Sequence, residues 1–285
     1  LVNYYVVPRK NHPRGAELTL QHGAIIPEVS TTNKYLWMEV PGMEVSDSFM
    51  NEFGVTIGSN FCGSKETETD VTQGGILYDL RLIMAQRAKT AREAVEIAGS
   101  LMEKLGYRGS GRSYCISDRE EAWVFSAVKG RRWAAARVPD DEVMILPNYY
   151  PIAEMDLQDS DNFLGSPDLI SYAEQKGWYN AILNGKFNFR EAYASNGALK
   201  NKGNTGRAWS AYSSLGMDYS RDDNFPFSFK PKNKVTKQKL MDLLAGHSQG
   251  MVGMDKTKSC TIGNPYEMNE GMICNGGTIY SFVVE

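Results

Sequence analysis

Apolar and polar residues alternate over short runs early in the chain, at Leu1 to Val7, Glu17 to Leu20, Tyr35 to Val40 and Gly54 to Gly58. A period of two predicts half-buried strands, because successive side chains of a strand point to opposite faces. The period then lengthens, and Ile76 to Ala88 and Ala91 to Leu105 predict helices. The second places Ala94, Ala98, Leu101, Met102 and Leu105 on one face. It opens on Thr90 with Glu93 three residues later, the pattern of a capping box, and stops at Gly106. A meander of strands follows in "SYCISD", "EAWVFSAV", "WAAARVP" and "EVMILPN". Residues 149–234 read as a loop-rich insertion holding one short helix in "PDLISYAEQKGW"; Val235 to Ala245 predicts a further helix and Thr278 to Val284 a last strand. Strands, two helices, a meander, then helix and strand predict an α+β fold: two stacked antiparallel sheets with helices outside.

Composition narrows the field. With 285 residues, 42% hydrophobic, the chain can bury a large core; length alone allows one large domain or two ordinary ones, and a single domain over 1–285 is the expectation. Lys plus Arg total 31 against 34 acids, a formal charge of −3, with the basic residues dispersed apart from a short turn at Lys129 to Arg132. That balance argues against a nucleic-acid partner. No apolar run approaches the ~18 residues of a membrane-spanning helix, so no membrane partner is expected. Cys62, Cys115, Cys260 and Cys274 lie far apart with no C-x-x-C pair, which fits buried thiols better than a disulfide framework or a metal site. Both ends fall inside strand-like runs, "LVNYYVV" and "TIYSFVVE", and the chain reads as a piece of a longer polypeptide.

Most of the usual chemical signatures are missing from this sequence. It contains no G-x-G-x-x-G, Walker loop or H-E-x-x-H. His12, His22 and His247 are scattered, and the acidic stretch Asp156 to Phe163 lacks the glycine and distal Glu of a calcium loop. No cofactor or metal is expected. What remains is a set of polar residues at strand ends. Asn60 follows the strand 54–58, Asn148 closes "EVMILPN", and Arg207 sits in "GNTGRAWS" between glycines and an aromatic. An Asn at such a place can simply form a turn. Held by rigid strands, it can instead donate to charge that develops only in a transition state.

At this point a resemblance enters. The segments "MNEFGVTIGSNF", "GGILYDLRLIMAQRAKTAREAVEIAGSLMEKLGYRGSGRSYCISDREEAWVF", "WAAARVPDDEVMILPNYY", "DNFLGSPDLISYAEQKGWYN" and "MICNGGTIYSF" are similar to the dipeptidase A family, relatives of the secernins. These are N-terminal nucleophile cysteine hydrolases with a four-layer αββα sandwich, more distantly similar to penicillin V acylase and bile salt hydrolase. The resemblance implies that dipeptides are the substrate. It implies that the Asn60 backbone N–H and the Asn148 side-chain amide form an oxyanion hole, and that Arg207 hydrogen-bonds around the nucleophile. It also implies a nucleophile that this sequence does not contain: an N-terminal Cys upstream of Leu1, whose own α-amine, with a pKa near ~8, acts as base. The chain would then lack its nucleophile segment and a C-terminal extension. Two other readings share the fold: an acylase of non-peptide amides, and a fragment or paralogue that only binds. The long "YPIAEMDLQDSDNFLGSPDL" stretch after Asn148 resembles the dipeptidases rather than the acylases. The sequence leaves room for a homo-oligomer and does not fix the compartment.

Overall fold

The computed structural model describes residues 2–39, 48–248, 271–275, 278 and 281–285. Its first strands are β1 (Asn3–Val7), β2 (Lys10–Asn11), β3 (Glu17–Thr19), β4 (Ile25–Pro27), β5 (Thr31–Thr32), β6 (Tyr35–Glu39), β7 (Ser48–Asn51) and β8 (Thr56–Phe61). Helices α1 (Asp79–Arg87) and α2 (Ala91–Leu105) precede the meander β9 (Tyr107–Ser117), β10 (Ala122–Gly130), β11 (Trp133–Val138) and β12 (Val143–Met144). After β13 (Phe163–Gly165) come α3 (Leu169–Gln175), α4 (Ala181–Asn184), α5 (Phe189–Tyr193), α6 (Asn196–Leu199) and α7 (Lys202–Ser214). Then follow β14 (Ser228–Phe229) and α8 (Lys237–Leu244).

Eight strands form one sheet in the order β1-β6-β7-β8-β9-β10-β11-β13, and each neighbouring pair runs antiparallel. Alternation along its central strands supplies two cores. On one face Ile57, Tyr114, Trp123, Phe125 and Trp133 pack with Leu80, Ile83, Met84, Val95 and Met102 of α1 and α2. On the other face Cys62, Val124, Val128, Ala134 and Ala136 pack with Tyr150, Phe189 and Tyr193, joined by the half-buried Met144, Leu146 and Phe227. The odd members of that same stretch, Val143 and Ile145, turn the other way, onto Ala208 and Tyr212 of α7 and onto Phe225 and Phe229. The layers therefore run helices, large sheet, the β12–β14 pair, helix: the αββα sandwich of an α+β protein, with the second sheet two-stranded among the described residues.

Helix α2 has the bounds the sequence predicts. Thr90 Oγ1 accepts the Glu93 N–H at 3.1 Å, while the Glu93 carboxylate turns back to the Lys89 N–H at 2.7 Å, one residue beyond the usual capping-box partner. Gly106 ends the helix at φ 77°, where a β-carbon would stand 2.1 Å from the Asp70 carbonyl oxygen. Midway along, Gly99 lets α2 rest against Trp133: a β-carbon there would lie 2.3 Å from its ring.

Four expectations need correction. The strand predicted at 54–58 is β8 and runs on to Phe61, so Asn60 lies within a strand instead of past its end. It continues because its polar residues find tertiary partners: Ser59 Oγ accepts from Arg81 at 2.8 Å and from Arg112 at 3.0 Å. The strand predicted through "EVMILPN" is shorter, and Asn148 sits in a bend four residues after β12. The stretch 149–234 holds five helices, α3 to α7, where the sequence predicts one short helix, and Arg207 is on the last of them. Of the last predicted strand, residues 279 and 280 lie outside the described residues, and Ser281 to Val284 are not in a strand.

Candidate active site

Asn60 and Asn148 meet where the large sheet faces the β12–β14 layer. Cys62 packs in the inter-sheet core, and Asn60, two residues earlier on the same face of β8, donates from Nδ2 to the Leu146 carbonyl at 2.5 Å. Asn148 answers in the opposite direction, its Nδ2 donating to the Phe61 carbonyl at 3.0 Å. The two amides thus cross-link the end of β8 to the segment 146–148.

Helix α7 fixes the far side of Asn148. Arg207 Nη2 donates to Asn148 Oδ1 and to Asn204 Oδ1, both at 2.8 Å. Asn204 Nδ2 in turn donates to the Asn148 backbone carbonyl at 3.1 Å and to the Ala198 carbonyl at 3.0 Å. Positions 204 and 207 can act together because residues three apart share a helix face. Asn201, another three residues earlier, caps the helix through its side chain on the Asn204 N–H at 3.0 Å. With its oxygen taken by a guanidinium, the Asn148 amide is held with its NH₂ pointing away from α7. That NH₂ carries two donors, of which Phe61 accepts one.

A cavity of about 550 Å³ opens beside these groups, with Phe61, Asn148, Ser195, Asn204 and Arg207 in its wall. Gly63 is also part of that wall, and a β-carbon there would stand 2.6 Å from Ser195 Oγ. Of the predicted site residues, Asn148 and Arg207 line the cavity and touch each other, while Asn60 stands one residue behind Phe61. The Asn60 N–H is also accounted for. Cys62 N–H donates to the Gly111 carbonyl at 3.0 Å, so in this register Asn60 and Ser113 form the next hydrogen-bonded pair of the ladder and the Asn60 N–H turns toward β9. Sequence reasoning missed Asn204. Its signal was the spacing 201, 204, 207, which becomes readable once "KGNTGRAWSAYSS" is taken as a helix.

Neither Cys62 nor Cys115 is placed to act as a nucleophile here. Cys62 follows Phe61 directly, but its side chain is fully buried on the inter-sheet core, and burial pushes its thiol up to about 12 against a weaker opposing hydrogen bond from Ser113. Burial likewise raises Cys115 to about 11. At neutral pH a thiol at 12 is ionised to only on the order of 10⁻⁵, and the thiolate is the reactive form. Cys260 lies outside the described residues. Among the described residues no group of three or more His, Cys, Asp and Glu is placed to hold a metal, and no helix is long and apolar enough to cross a membrane.

The chain is similar to known proteins over most of its length. A family model described as peptidase family C69 matches residues 17–262. A dipeptidase of Bifidobacterium longum is 28% identical over 287 aligned residues, covering 87% of this chain and 53% of the relative. A probable dipeptidase of Salmonella dublin is 28% identical over 185 residues, 63% of this chain and 42% of that one. The chain spans about half the length of these relatives. Among solved structures, penicillin V acylase from Agrobacterium tumefaciens aligns with 48% of this chain and 41% of its own, at 16% identity and a TM-score of 0.34.

Proposed function

The chain belongs to peptidase family C69, and from that premise we propose that it forms the oxyanion side of a cysteine-type dipeptidase, cleaving the amide bond of a small peptide. The observation that carries the proposal is the Arg207–Asn148–Phe61 relay on the cavity wall. An amide whose oxygen is held by a guanidinium presents its N–H donors in a fixed direction before any substrate arrives. Fixed donors stabilise the oxyanion of a tetrahedral intermediate without reorganising at the moment of reaction.

In this reading a cysteine upstream of Leu1 provides the thiolate, its α-amine taking the thiol proton. The thiolate adds to the scissile carbonyl, and negative charge moves onto the oxygen facing Asn148 Nδ2. Collapse expels the amine of the second residue, protonated by the same α-ammonium, and leaves a thioester. Water then attacks the thioester and releases the first residue as its acid. Arg207 is a positioning residue for the chemistry, since it acts through Asn148 Oδ1. Asn60 belongs to the same class: its side chain anchors Leu146, two residues before Asn148, and its N–H is directed into the ladder.

The alternative reading as an acylase of non-peptide amides uses the same relay, and the dipeptidase-named relatives favour peptides over it. The test is dipeptide hydrolysis by the full-length enzyme. Asn148→Ala is expected to lower kcat by about 10²–10³ with KM little changed, because the lost donor serves the transition state more than the ground state. Unchanged kcat in a folded Asn148→Ala variant would remove the proposal's foundation.

A further inference from the structure

We infer that the Gly63 backbone N–H is a second oxyanion donor, working beside Asn148 Nδ2 on the wall of the same cavity. The inference deepens the peptidase reading and rests on it for the reaction. Oxyanion sites are built from donors fixed before the charge develops, and backbone N–H groups serve as well as side-chain amides. The resemblance gives the backbone place to Asn60, whose N–H is turned into the ladder toward Ser113. The chain just beyond β8 offers another.

Strand alternation fixes the direction of each group. Cys62 N–H donates toward β9, to the Gly111 carbonyl at 3.0 Å, so the backbone groups of Phe61 and Gly63, one residue to either side, turn to the opposite edge. There the Phe61 carbonyl accepts from Asn148 Nδ2 at 3.0 Å, and the Gly63 carbonyl accepts from the Ser195 N–H at 2.9 Å. Ser64 and Ala194 bridge antiparallel, and in such a ladder the Gly63 N–H would donate back to the Ser195 carbonyl. It does not, because the chain turns into α6 at Ser195: that carbonyl accepts from the Ala198 and Leu199 N–H groups at 3.1 and 3.2 Å instead. The Gly63 N–H is left without an acceptor among the described residues, on a wall that it shares with Asn148. Along that edge it is the next group after the Phe61 carbonyl that anchors the Asn148 amide. An oxygen acquiring charge beside Asn148 Nδ2 therefore meets a second donor already in place.

The test removes this one N–H. In the full-length enzyme, Gly63→glycolic acid puts an ester oxygen in its place, and hydrolysis is followed with a dipeptide and with the non-peptide amide phenylacetanilide. kcat is expected to fall about 10²–10³-fold with KM little changed. The melting temperature is expected to drop by no more than about 4 °C, since the N–H that is lost had no partner among the described residues. The same backbone exchange at Asn60 is expected to lower the melting temperature more and kcat less, because that N–H belongs to the ladder. Unchanged kcat at 63, a variant that fails to fold, or a larger kcat loss at 60 than at 63 would overturn the inference, as would a parent enzyme that cleaves neither substrate. Cleavage of phenylacetanilide alone, lost with the Gly63 N–H, would overturn the dipeptidase reading and leave this one standing. Dipeptide cleavage indifferent to the exchange at 63 would do the reverse.

Discussion

Asn148 owes its orientation to partners that come from distant parts of the chain: Phe61 on β8 and Asn204 and Arg207 on α7. A lone asparagine after a strand is therefore readable as a candidate, but what makes it a directed donor is tertiary. Cys62 shows the same dependence with the opposite outcome. Its thiol lies one residue from the cavity wall, yet burial raises it to about 12, and in the native protein it is expected to resist iodoacetamide at pH 8.5 while becoming reactive in denaturant. Peptide mapping after labelling checks this, and rapid native labelling of Cys62 would show the burial to be wrong. The sign of the linked stability follows. An unfolded thiol ionises near 9 and the folded one only near 12, so the contribution of Cys62 is complete below pH 9 and is lost as pH rises from 9 toward 12. That β8 runs on through Asn60 was not legible, because the polar residues Ser59 and Asn60 are satisfied there by Arg81, Arg112 and the Leu146 carbonyl, none of them nearby in sequence.

Among the elements, α2 was the most legible. Its cap, its apolar face and its stop are all local, and its contact with the sheet depends on one small residue. Gly99→Ala is expected to destabilise the protein by about 1–3 kcal/mol, since the added methyl meets the Trp133 ring at 2.3 Å and either the helix or the ring must move. A thermal melt unchanged within error would mean that α2 has room the structure does not show. Helix α7 was illegible for the converse reason. Gly203 and Gly206 interrupt its first two turns and Asn201, Asn204 and Thr205 read as turn formers, so no helical preference shows in the string. The helix forms because Asn201 caps it and Ala208 and Tyr212 bury against Phe225 and Phe229. The segment leading away from Asn148 is held by a charge. Arg190 of α5, buried and with its affinity for the proton lowered by that burial, donates to the carbonyls of Tyr150, Pro151 and Phe225 and to Asn224 Oδ1. Arg190→Met strands those acceptors and is expected to cost about 3 kcal/mol or more in denaturant unfolding. A cost near zero would mean that water replaces the guanidinium.

At the scale of the molecule, the αββα layering was legible because each half of the pattern is local: alternating strands, two amphipathic helices, then strands again. The meander β9 to β11 is covered on both faces, whereas β1 stands at the sheet's edge with Tyr4 and Val6 exposed. Backbone amides of β10 are expected to exchange with solvent slowest and those of β1 among the fastest, a gradient measurable by hydrogen exchange. Similar rates in both strands would contradict a sheet stabilised from its centre. That rigid centre carries Phe61 and, across the inter-sheet core, Asn148, and the central claim is that Arg207 serves the chemistry through Asn148. The measurement that tests it most directly is a double-mutant cycle on kcat for dipeptide hydrolysis at saturating substrate, with Asn148→Ala, Arg207→Met and the pair. If Arg207 acts through Asn148, the pair loses no more in kcat than Asn148→Ala alone, a strongly non-additive cycle. Losses that multiply would show two independent contributions and contradict the relay.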